Sequence, residues 1–296
     1  MLSFAIALLC IGVHIAHAGD TDADAPASLR ARYDRLQERL SHNQFQRPLY
    51  LDSSETPDGV TGDIYARVDH PYAAVRAALN NPGDWCDILI LHLNIKYCRA
   101  SSGGQGARLD VNISRKYDEP LEQAYRVDFA YRVAAQSANY LQVRLNAGAG
   151  PLGTHDYRIV LEAVPLDSER TFIHFSYSFS YGMAGRLALQ AYLATIGRNK
   201  VGFAVTGTGS DSKPQYIGGI RGLVERNTMR YYLAIEAFLG AVSAAPQVRL
   251  EKRLRGWFAA TERYRRQLHE MEPDEYLAMK YKEVRRQQSG LLPPPA

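Results

Sequence analysis

Ile173-His174-Phe175-Ser176-Tyr177-Ser178-Phe179-Ser180-Tyr181 alternates apolar and polar side chains at every step. Successive strand residues face opposite sides, so the stretch reads as a strand with a buried face of rings and a wet face of hydroxyls. It closes a series. Leu93, Ile95 and Tyr97 alternate, then Leu109, Val111 and Ile113 against Asp110, Asn112 and Ser114. Tyr125, Val127, Phe129, Tyr131 and Val133 face away from Arg126, Asp128 and Arg132. Leu141, Val143 and Leu145 follow, then Tyr157, Ile159 and Leu161, with turns expected at Ser101-Ser102-Gly103-Gly104 and Gly148-Ala149-Gly150-Pro151. Such period-2 runs predict an antiparallel sheet with one covered face.

Upstream, Ile64, Ala66 and Val68 mark a first strand from Asp63 to Asp69. A helix follows with Tyr72, Val75, Ala78 and Leu79, stopped by Asn80-Asn81-Pro82-Gly83, and a second from Asp84 to Leu91 carries Trp85. Nearer the start, Ser28 is placed to cap a helix bearing Leu29, Tyr33, Leu36 and Leu40, and Pro48, Pro57 and Gly59 predict an irregular stretch after it. Downstream, the apolar segment from Met183 to Val205 is broken by Gly185, Gly197 and Gly202. A long helix from Gly219 to Ser243 is ended by Pro246, and a charged helical tail breaks at Pro273.

This order (strand, two short helices, antiparallel strands, long helix) resembles the START-like helix-grip superfamily of lipid-transfer and polyketide cyclase-like proteins over about residues 60–243. The resemblance implies an α+β fold in which a curved antiparallel sheet of about seven strands grips a long C-terminal helix, with an apolar cavity between them. The segment 183–205 and the charged tail are additions to that pattern.

The chain has 296 residues, 46% of them apolar, and a net charge of +4. That composition excludes disordered and disulfide-dense classes, and the charge is too mild to point to nucleic acid. Residues 1–18 read as a signal peptide: an apolar run from Leu2 to Val13, then Ala16-His17-Ala18, with cleavage expected after Ala18 and a periplasmic or secreted location. Cys10 would leave with it, so Cys86 and Cys98 are expected to form one structural disulfide. The resulting organisation is a signal peptide (1–18), an N-terminal helix and irregular lead (19–59), a START-like ligand-binding domain (60–245) and a charged helical tail (246–296).

Candidate ligand-binding residues are Tyr125, Phe129, Tyr131, Tyr157, Phe175 and Tyr177 on the sheet with Asn227 and Tyr231 on the long helix. Each ring is also a natural core residue, but buried phenols need polar partners, which suits a cavity with a ligand headgroup. Arg226 and Arg230 are candidate anion ligands, or are solvated or paired with acids such as Glu225. His155 beside Asp156 is poorly placed as a catalytic pair, since strand neighbours point oppositely. His174 reads as exposed or satisfied, and Asp128 and Glu162 as wet-face acids. No nucleophile elbow, metal-ligand spacing, phosphate loop or dinucleotide fingerprint is present, so neither a catalytic residue nor a metal or other cofactor is expected.

The segment 183–205 packs as a further core helix or acts as a flap touching a membrane surface. The basic tail with Trp257, Phe258 and Leu268 either straps to the domain or meets anionic lipid. The leading expectation is a carrier or binder of a lipid or other apolar molecule in a cavity of several hundred Å³. The alternatives are a cyclase- or hydrolase-type enzyme using the same cavity, and a partner-binding envelope protein using the tail and Pro293-Pro294-Pro295.

Overall fold

The computed structural model describes residues 24–104, 106–209 and 212–290; the leader and the Pro293-Pro294-Pro295 end lie outside these residues. The chain opens with α1 (Ala25–Ser41), then β1 (Leu49–Glu55), β2 (Gly59–Val68), α2 (Tyr72–Leu79) and α3 (Pro82–Leu89). Six strands follow: β3 (Ile95–Gly103), β4 (Gly106–Ile113), β5 (Tyr125–Gln136), β6 (Leu141–Ala149), β7 (Thr154–Pro165) and β8 (Thr171–Tyr181). Beyond them come α4 (Met183–Ala194), a small hairpin of β9 (Val205–Thr208) and β10 (Pro214–Tyr216), α5 (Gly219–Leu239), α6 (Pro246–Glu262), α7 (Arg265–Leu268) and α8 (Pro273–Ser289).

The main sheet has eight strands in the order β1-β2-β8-β7-β6-β5-β4-β3, every neighbouring pair antiparallel. The helix pair α2–α3 carries the chain from β2 to the far edge, and the remaining strands meander back until β8 lies beside β2. The Cys86–Cys98 disulfide, with Cα atoms 5.2 Å apart, fastens α3 to β3. Helix α5 lies against β2, β1 and β8. Its close seat depends on Gly62, where a Cβ would stand 2.4 Å from Thr228 Oγ1.

Several local expectations are corrected. The stretch between Pro48 and Gly59 is not irregular: it holds the edge strand β1, with the prolines just outside it, where no ladder donor is needed. Pro82 opens α3 rather than merely stopping α2, and Asn81 Oδ1 accepts the Gly83 N–H at 2.9 Å as its cap. Ser28 lies inside α1, which begins at Ala25 with Pro26 in its first turn. Residues Ser101 to Gly103 extend β3 instead of turning. Helix α5 ends at Leu239, and Pro246 opens α6.

The outer face of the sheet is partly covered. Leu29, Leu36 and Leu40 of α1 bury against Tyr65, Tyr140, Val164 and Phe172. At the other end of the chain, Leu254, Trp257, Tyr276 and Val284 join the main core. Trp257 stacks on Tyr276 at 5.1 Å and donates its indole N–H to the Arg230 carbonyl at 3.0 Å. Phe258 stays half-buried while Leu268 is buried. The fully buried Lys280 ammonium donates to the carbonyls of His92 (2.6 Å) and Ile95 (2.9 Å) and pairs with Glu283 at 2.7 Å. Glu283 also holds Lys96 at 2.8 Å, and Gln287 accepts the Cys98 N–H at 3.1 Å, so α8 lies along β3. No helix among the described residues is long and apolar enough to cross a membrane.

Candidate binding cleft

Between the sheet, α5 and α4 lies a cleft of about 90 Å³, smaller than the several hundred Å³ expected. Its floor is Tyr157 of β7 with Tyr177 and Phe179 of β8; the Tyr157 and Phe179 rings stack at 5.3 Å. Leu223, Asn227 and Tyr231 form the wall, spaced by four so that they share one face of α5. Leu189 and Tyr192 of α4 close it above, and His92 and Asn94, between α3 and β3, close one end. The Gly148–Pro151 break has a packing role, because a Cβ on Gly150 would lie 2.2 Å from the Tyr157 ring.

The polar groups are specific. Thr154 Oγ1 donates to the Pro151 carbonyl at 2.5 Å, so the Tyr157 hydroxyl, 2.6 Å away, donates to Thr154. Burial pushes the Tyr157 phenol up to about 12, and raises Tyr177 and Tyr231 as well; all three remain protonated at neutral pH. His92 stacks on Tyr231 at 4.8 Å, and its Nδ1 accepts the Asn94 backbone N–H at 3.1 Å. The neutral ring therefore carries its proton on Nε2, which is buried without a partner. Burial, reinforced by Arg230 and Lys280, pulls the imidazole well below its ordinary range and keeps it neutral. Asn227 approaches both His92 and Tyr177 but gives Nε2 no hydrogen bond of good geometry.

A second chamber of about 290 Å³ adjoins the first, sharing Asn94, Arg115, Tyr192, Leu223 and Asn227 with it. Deeper in, Arg230 pairs with Glu270 at 2.7 Å and donates to the Leu268 carbonyl at 3.2 Å. Lys200 meets the other Glu270 oxygen at 2.5 Å. Burial would raise the Glu270 carboxyl, but the two cations outweigh it and hold it below the usual range. Arg226 is 1% exposed, with Nε and Nη1 unpartnered. Burial and neighbouring Arg230 draw it down to about 10, still charged at neutral pH. Glu225 does not neutralise it: that carboxylate accepts from Ser53 Oγ (2.5 Å) and the backbone N–H groups of Phe203 (2.5 Å) and Ala204 (2.9 Å).

Of the sequence candidates, Tyr157, Tyr177, Asn227 and Tyr231 line the cleft. Phe129 and Phe175 are buried behind it, each 6.4 Å from a lining tyrosine ring. Tyr131 is core with an unpartnered hydroxyl, and Tyr125 is corrected outright, being 42% exposed at the start of β5. Lining residues not foreseen include His92, Asn94, Arg115, Thr154 and Leu189.

Other sequence candidates sit elsewhere. His155 Nδ1 and Asp156 Oδ2 do meet at 2.9 Å, because a bulge with Asp156 at φ 51° turns both outward, but the pair is exposed. Asp128 pairs with Arg108 at 3.2 Å. On the outer face beneath α1, His174 is held between Asp63 (2.9 Å) and Glu162 (2.7 Å) and stacks on Tyr65 at 4.4 Å. Glu162 also accepts from the Tyr140 hydroxyl at 2.5 Å. Burial would lower the His174 imidazole, but its two carboxylates outweigh that and raise it to about 9.

No family model and no curated protein matches the chain. Among solved structures it is similar to norcoclaurine synthase from Thalictrum flavum in complex with dopamine and hydroxybenzaldehyde, at 12% identity and TM-score 0.34, over 50% of this chain and 82% of that one. It is also similar to a START superfamily protein from Mycobacterium smegmatis, at 14% identity and TM-score 0.32, over 46% and 92%. A third is Ara h 8.0201, at 15% identity and TM-score 0.32, over 47% and 91%. It is the strand order, with β8 beside β2 and α5 laid across them, that gives this chain the START-like helix-grip fold.

Proposed function

We propose that the protein is an exported binding protein for a hydrophobic small molecule held between β7, β8 and α5 beneath α4. The observation that carries this reading is an aromatic cleft lined by His92, whose Nε2 donor is buried with no protein hydrogen bond of good geometry. Such a donor costs about 1–3 kcal/mol unless something pairs with it, and a carbonyl or hydroxyl oxygen on a ligand would do so. Export is supported by the leader pattern and by the Cys86–Cys98 bond, which suits an oxidising compartment.

Size narrows the cargo. An engineered cavity of roughly 150 Å³ holds benzene, so a cleft of about 90 Å³ takes a short chain by itself and a single ring only by sharing the adjoining chamber of about 290 Å³. Carriage of a longer lipid requires α4 to swing from the mouth; its Met183 and Leu187, 84% and 60% exposed, are not tied into the core. Among the described residues no carboxylate lines the cleft, so the site favours binding and hydrogen bonding over proton abstraction.

The test is native mass spectrometry with solvent extraction on protein purified from its own host. A reproducible small-molecule adduct, lost in Tyr177→Trp, supports the reading. A clean apoprotein mass from freshly isolated material overturns it.

A further inference from the structure

The Arg226 guanidinium is the unusual charge of this molecule. It sits at 1% exposure on α5, one residue before the cleft residue Asn227, and lines the second chamber. Among the described residues, every other strongly buried Lys or Arg has an acid partner: Lys280 and Lys96 have Glu283, Arg230 has Glu270, and Arg253 has Asp87. Arg226 has no carboxylate within ion-pair distance among the described residues, and two of its nitrogens lack any acceptor. An unpaired buried charge is strongly unfavourable, so a fold that keeps one needs a partner from outside. The chamber lining also carries Arg115, Lys116 and Lys200 beside the two arginines, against Asp118 and Glu270; Arg115 is paired with Glu119 at 2.8 Å, and Glu270 is already shared by Arg230 and Lys200.

We propose that Arg226 is the anion-binding subsite of the cleft, and that the ligand is a small amphiphilic acid. Its apolar ring or short chain occupies the space over Tyr157 and Tyr177, and its carboxylate or phosphate reaches past Asn227 to the guanidinium. A planar fork matches either head group through paired N–H donors. This rests on the hydrophobic-ligand reading above and adds to it the charge of the cargo and the residue that selects it.

The experiment uses the mature protein and three probes in calorimetric titrations: hexanoate, the neutral 1-hexanol, and inorganic phosphate. The expected result is hexanoate binding at least tenfold tighter than the alcohol, with the preference collapsing to about onefold in Arg226→Met. Arg226→Lys, which keeps the charge, should retain part of it. Without probe, Arg226→Met should melt no lower than the native protein, because it removes an unpaired charge; a purely structural arginine would give a lower melting temperature. Equal affinity for hexanoate and alcohol in the native protein overturns the subsite while leaving the hydrophobic reading intact. Phosphate binding as tightly as hexanoate, and lost in Arg226→Met, shows a free-anion site and overturns the amphiphile. Failure of all three probes to bind overturns both readings.

Discussion

Replacing His174 by glutamine should make stability far less sensitive to alkaline pH. In the native protein the imidazole is clamped between Asp63 and Glu162, and its side chain is only 15% exposed. The clamp raises its pKa from the ordinary 6.5 to about 9. At ~1.4 kcal/mol per tenfold change in proton affinity, the clamp is worth about 3 kcal/mol to the folded state. A folded-state value above the unfolded one fixes the sign. The stabilisation is complete below about pH 6.5 and is lost as pH rises through about 9. Lys280 acts in the opposite sense, since burial lowers it from 10.5 to about 8, and folding gains from rising pH between those values. It is present in both proteins and cancels in their difference. Urea unfolding of native protein and His174→Gln at about pH 6 and about pH 10 therefore isolates the clamp. The native advantage should shrink by about 3 kcal/mol across that range. An advantage constant to within ~0.5 kcal/mol would refute the charged-imidazole assignment.

Three further outcomes follow from the same structure. Lys280→Met leaves the His92 and Ile95 carbonyls without their donor and Glu283 without one of its two cations, and should lower unfolding free energy by about 3 kcal/mol in urea titration. Gly150→Val drives a side chain into the Tyr157 ring and should cost about 1–3 kcal/mol. In the same variant, the cargo adduct should fall sharply while the far-ultraviolet circular dichroism is kept. Replacing Cys86 and Cys98 together by alanine opens a loop with sequence separation 12 and should cost about 3 kcal/mol, read as a lower melting temperature without a change in fold.

The strands from β4 to β8 were legible because each buries one face and wets the other, so packing writes itself into the sequence at period 2. Strand β1 was not, since an edge strand with most of one half exposed leaves no alternation to read. Tyr125 shows the limit of the pattern even where it works: alternation says which way a ring points, while cover depends on what lies above it. On α5, the spacing of Leu223, Asn227 and Tyr231 gave one wall of the cleft. The same helix is enclosed on several sides, so sequence alone could not separate a buried Arg226 from a solvated one. His92 and Asn94 stand in a tight turn after α3 with no periodicity, and their role follows only from the fold around them.

The placement of α8 also bears on how the chain must be made. Strand β3 is one margin of the sheet, and its Cys98 amide is satisfied by Gln287, 189 residues further along. Until that distant segment arrives, the margin is an open template for another strand, the condition under which chains pair with their neighbours instead of themselves. A protein shortened at Ser243 is thus expected to form aggregates during synthesis rather than a smaller soluble domain.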